Sequence, residues 1–164
     1  MEIDLQTIAL LAEARENENV RFRSFLKQQN GNSIDEKVNR LNKIIEPQID
    51  CTACGNCCKS FMISVEKDEL NKVADYLQTS VASIKEQYIE ESEGGTMLIS
   101  AIPCHFLGGT KCTVYEARFS VCREFPHLHQ SGFTNRLFNV MQHYSICPIV
   151  FNVVEELKTE LDFK

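Results

Sequence analysis

The sequence predicts a mainly α fold with a small β hairpin (α+β), a compact helical domain organised around a cysteine metal centre. Most of the 164 residues fall into segments whose apolar positions recur with a helical period. The few runs rich in β-branched residues are short, as in a small ribbon rather than a large sheet. Four of the eight cysteines are concentrated in one stretch of eight residues, and the other four follow it singly.

The chain is expected to form a single domain over residues 1–164. Within it we predict an N-terminal helical arm at 1–49, a cysteine-cluster core at 50–150, and a C-terminal helix at 148–163 packed on the core. The content of 43% hydrophobic and 24% charged residues is ordinary for a protein of this length with its own core.

The arm is predicted to contain two helices. Apolar residues at helical spacing indicate the first helix over 4–29, and a polar stretch at 15–19 is expected to bend or interrupt it. The second helix is predicted to begin at Ser33, whose hydroxyl and the carboxylate of Glu36 have the spacing of a capping box. Pro47 is expected to end it.

A short strand and two helices are predicted after the cysteine stretch. The apolar run at 61–63 favours a strand that leads to Ser64, which is expected to cap a helix over 65–78. A following helix over 81–91 is expected to begin at a cap formed by Thr79 and Ser80. These two helices supply apolar faces for the core.

The second half of the chain is predicted to contain a hairpin and two more helices. The best strand candidate is 96–102, and a glycine pair separates it from a second candidate at 112–115. Apolar residues again recur with a helical period over 134–145, which predicts a helix there. Pro148 suits the first position of the last helix, which makes Cys147 its N-cap residue.

The cysteine stretch has the pattern C-x2-C-x2-C-C, formed by Cys51, Cys54, Cys57 and Cys58. Thiolates are soft ligands suited to zinc, Cu(I) and iron–sulfur clusters. The first three share the spacing with which ferredoxins bind a [4Fe–4S] cluster, whose further ligand is a cysteine followed by proline. Cys147 is the only cysteine here that precedes a proline, so we expect it to complete the set.

The adjacent cysteine leaves two models open. The side chains of Cys57 and Cys58 are expected to diverge, so that one metal cannot easily bind both. Cys58 would then either serve a second centre with Cys104, Cys112 and Cys122, or remain a buried free thiol.

The remaining chemistry favours iron over zinc without excluding zinc. Structural zinc sites usually combine two short ligand pairs, whereas this chain has one cysteine cluster and then single cysteines. Cations near the cysteines would offset the negative charge of thiolates, and Arg118 and Arg123 are our candidates for contacting the cofactor. None of the four histidines is preferred over a cysteine as a ligand, and no catalytic residues are recognisable from the sequence.

Charge and patterning favour some classes of partner over others. A formal net charge of −6 with scattered basic residues argues against nucleic-acid binding. The acidic N-terminus does not resemble a signal peptide, and no apolar run is long enough to span a bilayer. We therefore expect a cytoplasmic protein without a membrane partner, in which clustered cysteines bind metal rather than form disulfides.

The cysteines lie in five motifs, which are Cys51-x2-Cys54-x2-Cys57-Cys58, Pro103-Cys104-x-Phe106-Leu107, Cys112-x2-Tyr115-x2-Arg118, Cys122-Arg123-x-Phe125-Pro126 and Cys147-Pro148. Taken in order, these motifs resemble the YkgJ-type cysteine-cluster proteins, which carry a zinc- or iron-chelating CxxCxxCC domain. The resemblance covers about residues 50–150 and implies a chelating role, for which all eight cysteines are candidate ligands. This chain has Arg118-Phe119 where the family usually has Arg-Pro.

Three functions follow as hypotheses from the residues and the resemblance. The first is a metal-binding protein whose cysteines hold an iron–sulfur cluster. The second is a structural zinc-binding interaction module. The third is a cluster-dependent transferase or oxidoreductase acting on a protein partner, because a similar cysteine domain occurs in flagellin lysine methylases.

Overall fold

The computed structural model describes all 164 residues and divides the chain into two compact units. The helical unit comprises Met1–Asp50 and Pro126–Lys164, and the cysteine unit comprises Cys51–Phe125. The expected single domain, with its last helix packed on the cysteine core, stays a prediction.

Helices dominate both units and the strands are short, which confirms the mainly α, α+β fold class. The helices are α1 Leu5–Ala14, α2 Glu16–Leu26, α3 Gly31–Ile45, α4 Cys51–Cys54, α5 Glu69–Tyr76, α6 Val81–Tyr88, α7 Ser120–Glu124, α8 Leu137–Tyr144 and α9 Pro148–Glu160. The strands are β1 Ile63–Val65, β2 Glu90–Glu91, β3 Met97–Ile99, β4 Leu107–Gly108 and β5 Lys111–Cys112.

The N-terminal helices begin and end differently from the sequence prediction. The expected interruption of the first helix is confirmed, because α1 and α2 meet at Arg15 inside the polar stretch, but the two helices together span fewer residues than the predicted 4–29. Helix α3 begins at Gly31 rather than at Ser33. The capping-box prediction is wrong because the Asn30 side chain caps the helix instead, accepting a hydrogen bond of 3.1 Å from the Ser33 N–H.

The core of the helical unit surrounds α9, most of which is buried. Helix α9 packs against α1, α3 and α8. Buried Lys158 of α9 donates hydrogen bonds to Glu18 at 2.7 Å and to Glu155 at 2.8 Å. Pairing with two carboxylates allows this ammonium group to be buried.

One tight turn of the helical unit is held by a carboxylate. Asp35 of α3 accepts hydrogen bonds from the N–H groups of Gly132, at 2.7 Å, and Phe133, at 2.8 Å. Gly132 adopts a left-handed conformation there, with φ of +75°. These bonds fix the segment that leads into α8.

No single helix is both long and apolar enough to cross a membrane. Only α8 and α9 taken together, as a pair with a sharp bend between them, have the length and composition of a membrane-spanning segment.

The cysteine unit contains two small antiparallel sheets. Strand β3 lies between β1 and β2, with Ser64 opposite Leu98. Strands β4 and β5 form a hairpin with Leu107 opposite Cys112. A small hairpin is present, as predicted, but it is formed by β4 and β5 rather than by the predicted pair of segments. The predicted first strand, at 97–99, pairs with β1 and β2 instead of with the segment at 112–115.

The elements beside these strands also require corrections. Ser64 lies within β1 rather than at a helix N-cap, and the following helix begins only at Glu69. Pairing with β3 keeps residues 63–65 extended and delays the helix. The Ser80 cap is confirmed, since its hydroxyl accepts a 3.1 Å hydrogen bond from the Ser83 N–H. Helix α6 ends at Tyr88, and the two residues of β2 join the sheet instead.

The core of the cysteine unit brings both sheets against α5 and α6. It is formed by buried apolar residues of these elements and of the segment before α7, including Leu70, Val73, Ile84, Ile99, Phe106, Val114 and Phe119. Cys104 and Cys112 pack against this core while remaining only partly buried. Packing against this core therefore fixes the positions of the two cysteines.

Candidate metal centre

Two short turns arrange the cysteines of the C-x2-C-x2-C-C stretch. Helix α4 is a single turn in which the Gly55 N–H donates a 3.1 Å hydrogen bond to the Cys51 carbonyl. A turn of 3-10 helix at 57–59 follows. Because residues three apart lie on one side of a helical turn, Cys51 and Cys54 share a side of α4.

Gly55 joins these two turns at a point of close backbone approach. Its φ is +60°, a left-handed conformation that favours glycine. A Cβ atom at this position would lie 2.9 Å from the carbonyl carbon of Thr110, in the tip of the β4–β5 hairpin, and closer still to the oxygen. The absence of a side chain at Gly55 thus lets the hairpin rest on the cysteine stretch.

A backbone hydrogen bond brings the next cysteine to the end of the stretch. The Cys104 N–H donates to the Cys58 carbonyl at 2.8 Å, and the Leu107 N–H donates to the Cys104 carbonyl at 3.0 Å. Leu107 is in turn the hairpin partner of Cys112. These contacts connect Cys58, Cys104 and Cys112 through the main chain.

Cys122 is positioned by the carboxylate of Glu69. Helix α7 begins at Ser120, whose N–H donates to Glu69 at 2.6 Å and whose hydroxyl donates at 3.2 Å. Arg123 forms an ion pair of 3.5 Å with the same carboxylate. Glu69 thereby ties α7, with Cys122 in its middle, to the N-terminus of α5.

Four thiols of the cysteine unit lie close enough for their charges to interact. Burial and, to a smaller extent, the neighbouring Cys58, Cys104 and Cys112 thiolates raise the pKa of Cys122 to about 12. Burial likewise raises the pKa values of Cys104 and Cys112, and Cys58 adds to both. Mutual repulsion of this kind is relieved when a cation binds among the thiolates.

The two adjacent cysteines do not diverge. The sulfur atoms of Cys57 and Cys58 lie 4.0 Å apart, which corrects the expectation from the sequence. The hydrogen bond from Cys57 lowers the pKa of Cys58 to about 7. Two thiolates on one tetrahedral zinc ion, with bonds of about 2.3 Å, are separated by about 3.8 Å, so this spacing suits two ligands of one ion.

The two arginines proposed as cofactor contacts have different surroundings. Arg118 stacks over the Tyr115 ring at 3.8 Å and donates to the Tyr115 carbonyl at 3.0 Å. Its positive charge lowers the pKa values of Cys112 and Cys122 against the larger effect of burial. Arg123 pairs with Glu69 and donates to the Arg118 carbonyl, so it stabilises α7.

The eighth cysteine belongs to the helical unit. Cys147 is the N-cap residue of α9 and Pro148 occupies the first turn, as predicted. Its side chain is 7% exposed, and its N–H donates to the His143 carbonyl at 2.9 Å. Its assignment as a ligand stays a prediction.

The donor set fits a soft metal by chemistry. None of the eight cysteines forms a disulfide. The ring of His105, the histidine adjacent to a cysteine, packs against Tyr88 with centroids 5.4 Å apart. No three His, Cys, Asp or Glu side chains surround a common point as a single ion requires, so binding requires the sulfur atoms to move closer together.

Sequence reasoning did not identify Gly55, Thr110 or Glu69. A signal existed for Gly55, because glycine within a run of ligands often marks a left-handed turn. No local pattern indicated Glu69, which lies 51 residues from Ser120.

Comparison with known proteins gives one match. The model of the family CxxCxxCC, described as "Putative zinc- or iron-chelating domain", matches residues 50–148, more than half of the chain. No curated protein matches, and no solved structure matches.

Proposed function

Since the chain belongs to the CxxCxxCC family of zinc- or iron-chelating domains, we propose that its cysteine unit holds an iron–sulfur cluster through Cys58, Cys104, Cys112 and Cys122. The observation that carries this proposal is that the fold brings these four thiols into one region of the cysteine unit. Main-chain contacts connect Cys58, Cys104 and Cys112. The charges of these three cysteines raise the pKa of Cys122.

The donor chemistry is compatible with an iron–sulfur cluster, and the neighbouring cysteines have a spacing known from such clusters. Thiolates bind the iron of such clusters, and the spacing Cys51-x2-Cys54-x2-Cys57 is one used by ferredoxins. A bound cluster would supply one-electron chemistry or a structural cross-link. Cys51, Cys54 and Cys57 remain as the start of a second ligand set in this proposal.

The surrounding residues of the chain would support a negatively charged centre. Arg118 is held in place by Tyr115 and supplies a positive charge near Cys112 and Cys122. Buried Phe106 and Phe119 limit the access of water beside these cysteines. A fixed cation stabilises thiolates that would otherwise repel one another, and its attraction to them is stronger where water is excluded.

Metal and sulfide analysis of protein purified without oxygen tests the proposal. We expect iron with acid-labile sulfide, and a broad visible absorption that is bleached by a reductant. Colourless protein that contains stoichiometric zinc and no sulfide would refute it.

Single substitutions test the ligand set. Cys122→Ser and Cys58→Ser should each lose the iron of this set, because removing one of four ligands opens the site. Met62→Ala, a change at an exposed sulfur-containing side chain of the same unit, is the control and should retain iron. Full iron content in both cysteine variants would contradict the assignment.

A structural zinc site is the second candidate, favoured by the 4.0 Å separation of the Cys57 and Cys58 sulfur atoms. Zinc would then cross-link the α4 segment and stabilise the cysteine unit without redox chemistry. In that case Cys57→Ser and Cys58→Ser should lose zinc equally, and a chelator should lower the melting temperature of the colourless protein.

A further inference from the structure

An apolar cleft of about 410 Å³ opens on the helical unit, and no cysteine is among the residues that line it. Its walls come from α1, α2 and α8, and they include alanines of α1 together with Val20, Phe138 and Met141. Val20 is 54% exposed and Phe138 is 61% exposed. Adjacent exposed apolar side chains around a cleft are typical of an interaction surface.

One face of α2 carries opposite charges at its two ends, with Glu16 exposed and Arg23 partly buried. Glu16, Val20 and Arg23 are spaced by four and three residues, so they form one stripe along the helix. All three line the cleft, as does the acidic Glu13 at the end of α1. No ion pair within the chain involves Glu13, Glu16 or Arg23.

This stripe is complementary to itself. A two-fold axis near Val20 would make α2 antiparallel to α2 of a second copy. Glu16 of each copy then faces Arg23 of the other, while the two Val20 side chains meet between them. A symmetric dimer requires such self-complementarity, because the same patch serves on both subunits.

The aromatic side chain beside the stripe extends the apolar centre. The Arg23 guanidinium lies over the Phe138 ring, 5.9 Å from its centroid. That contact orients the arginine at the edge of the cleft and leaves most of the ring exposed. A buried apolar centre with charged groups at its margin is the usual composition of a protein interface.

We propose that the α2 face of the helical unit is a homodimer interface, in which Glu16 of each copy pairs with Arg23 of the other around Val20. The dimer is independent of the metal centre, since no cysteine lines the cleft. Its partner is a second copy of this chain.

Sedimentation velocity of the full chain over a wide range of concentration tests the proposal. Wild type should reach twice the mass of the 18.7 kDa chain. Glu16→Arg and Arg23→Glu should each reduce the mass to that of one chain, because each opposes like charges twice. The double variant Glu16→Arg/Arg23→Glu should restore the dimer, since it exchanges the two charges without changing the pairing.

Matched controls separate the interface from general effects. Val20→Asp should abolish the dimer, whereas Ile44→Asp, at a residue of α3 that is also 54% exposed, should not. Circular dichroism should show unchanged helix content in each variant.

Three outcomes would overturn the proposal. One is a wild-type protein that stays monomeric at every concentration, whether or not a small molecule co-purifies with it in the cleft. The others are a charge exchange that fails to restore the dimer and an Ile44→Asp variant that loses it as Val20→Asp does.

Discussion

The substitution Gly55→Ala tests whether the β4–β5 hairpin must rest on the cysteine stretch. Two costs add at this position. A side chain at φ of +60° costs about 1–2 kcal/mol. The new Cβ would also lie 2.9 Å from the Thr110 carbonyl carbon, and relieving such an overlap costs about 1–3 kcal/mol. The free energy of unfolding should therefore fall by about 2–5 kcal/mol.

Gly95→Ala is the matched control for this prediction. Gly95 belongs to the same unit and has φ of +78°, but nothing lies within 4 Å of a Cβ built there. It should therefore show only the conformational cost of about 1–2 kcal/mol.

Urea denaturation of the metal-free proteins measures both free energies, and metal analysis measures the consequence for the site. We expect Gly55→Ala to be the more destabilised variant and the poorer binder of zinc or iron, because the hairpin carries Cys112. Equal destabilisation by Gly55→Ala and Gly95→Ala would refute the reasoning, since it would mean that the hairpin tip can move away without cost.

Three further predictions concern carboxylates. Glu69→Ala should lower the metal content, measured by elemental analysis, because the N–H of Ser120 loses its acceptor and α7 its anchor; full metal content would contradict this role. The hydrogen bond from Lys158 lowers the pKa of Glu18, so this group stabilises the fold above its unfolded pKa and loses that effect as the pH falls. Lys158→Met should therefore reduce the loss of stability in acid, and an unchanged acid profile in thermal melts would refute it. Asp35→Ala leaves two backbone N–H groups without their acceptor and should cost about 1–3 kcal/mol in urea denaturation; a loss within error of zero would contradict it.

Local sequence patterns predicted the elements whose cause is itself local. Pro148 cannot donate a hydrogen bond and has a fixed φ, so it starts α9 and makes Cys147 the N-cap residue. Ser80 likewise caps α6 through a donor three residues away. The Ser33 prediction failed because Asn30, an equally good cap, offers its side chain to the same helix three residues earlier.

Pairings between distant residues could not be predicted in the same way. Strand 97–99 has the composition of a strand, but nothing in it indicates that its partners are β1 and β2 rather than the segment at 112–115. The choice depends on which neighbours bury Met97 and Ile99 in the core. Local propensity identifies a strand, whereas tertiary packing selects its partners.

The sequence alone determined the family of zinc- or iron-chelating domains to which this protein belongs and made the cysteines its candidate ligands, because thiol chemistry and the C-x2-C-x2-C-C spacing are local and chemically specific. Only the tertiary structure decided which cysteines lie together. A backbone hydrogen bond and a hairpin connect Cys58, Cys104 and Cys112, and Glu69 anchors α7, the helix that carries Cys122. The hydrogen bond to Cys58 and the Glu69 anchor each span a long stretch of chain, so their partners are fixed by the folded core rather than by neighbouring residues.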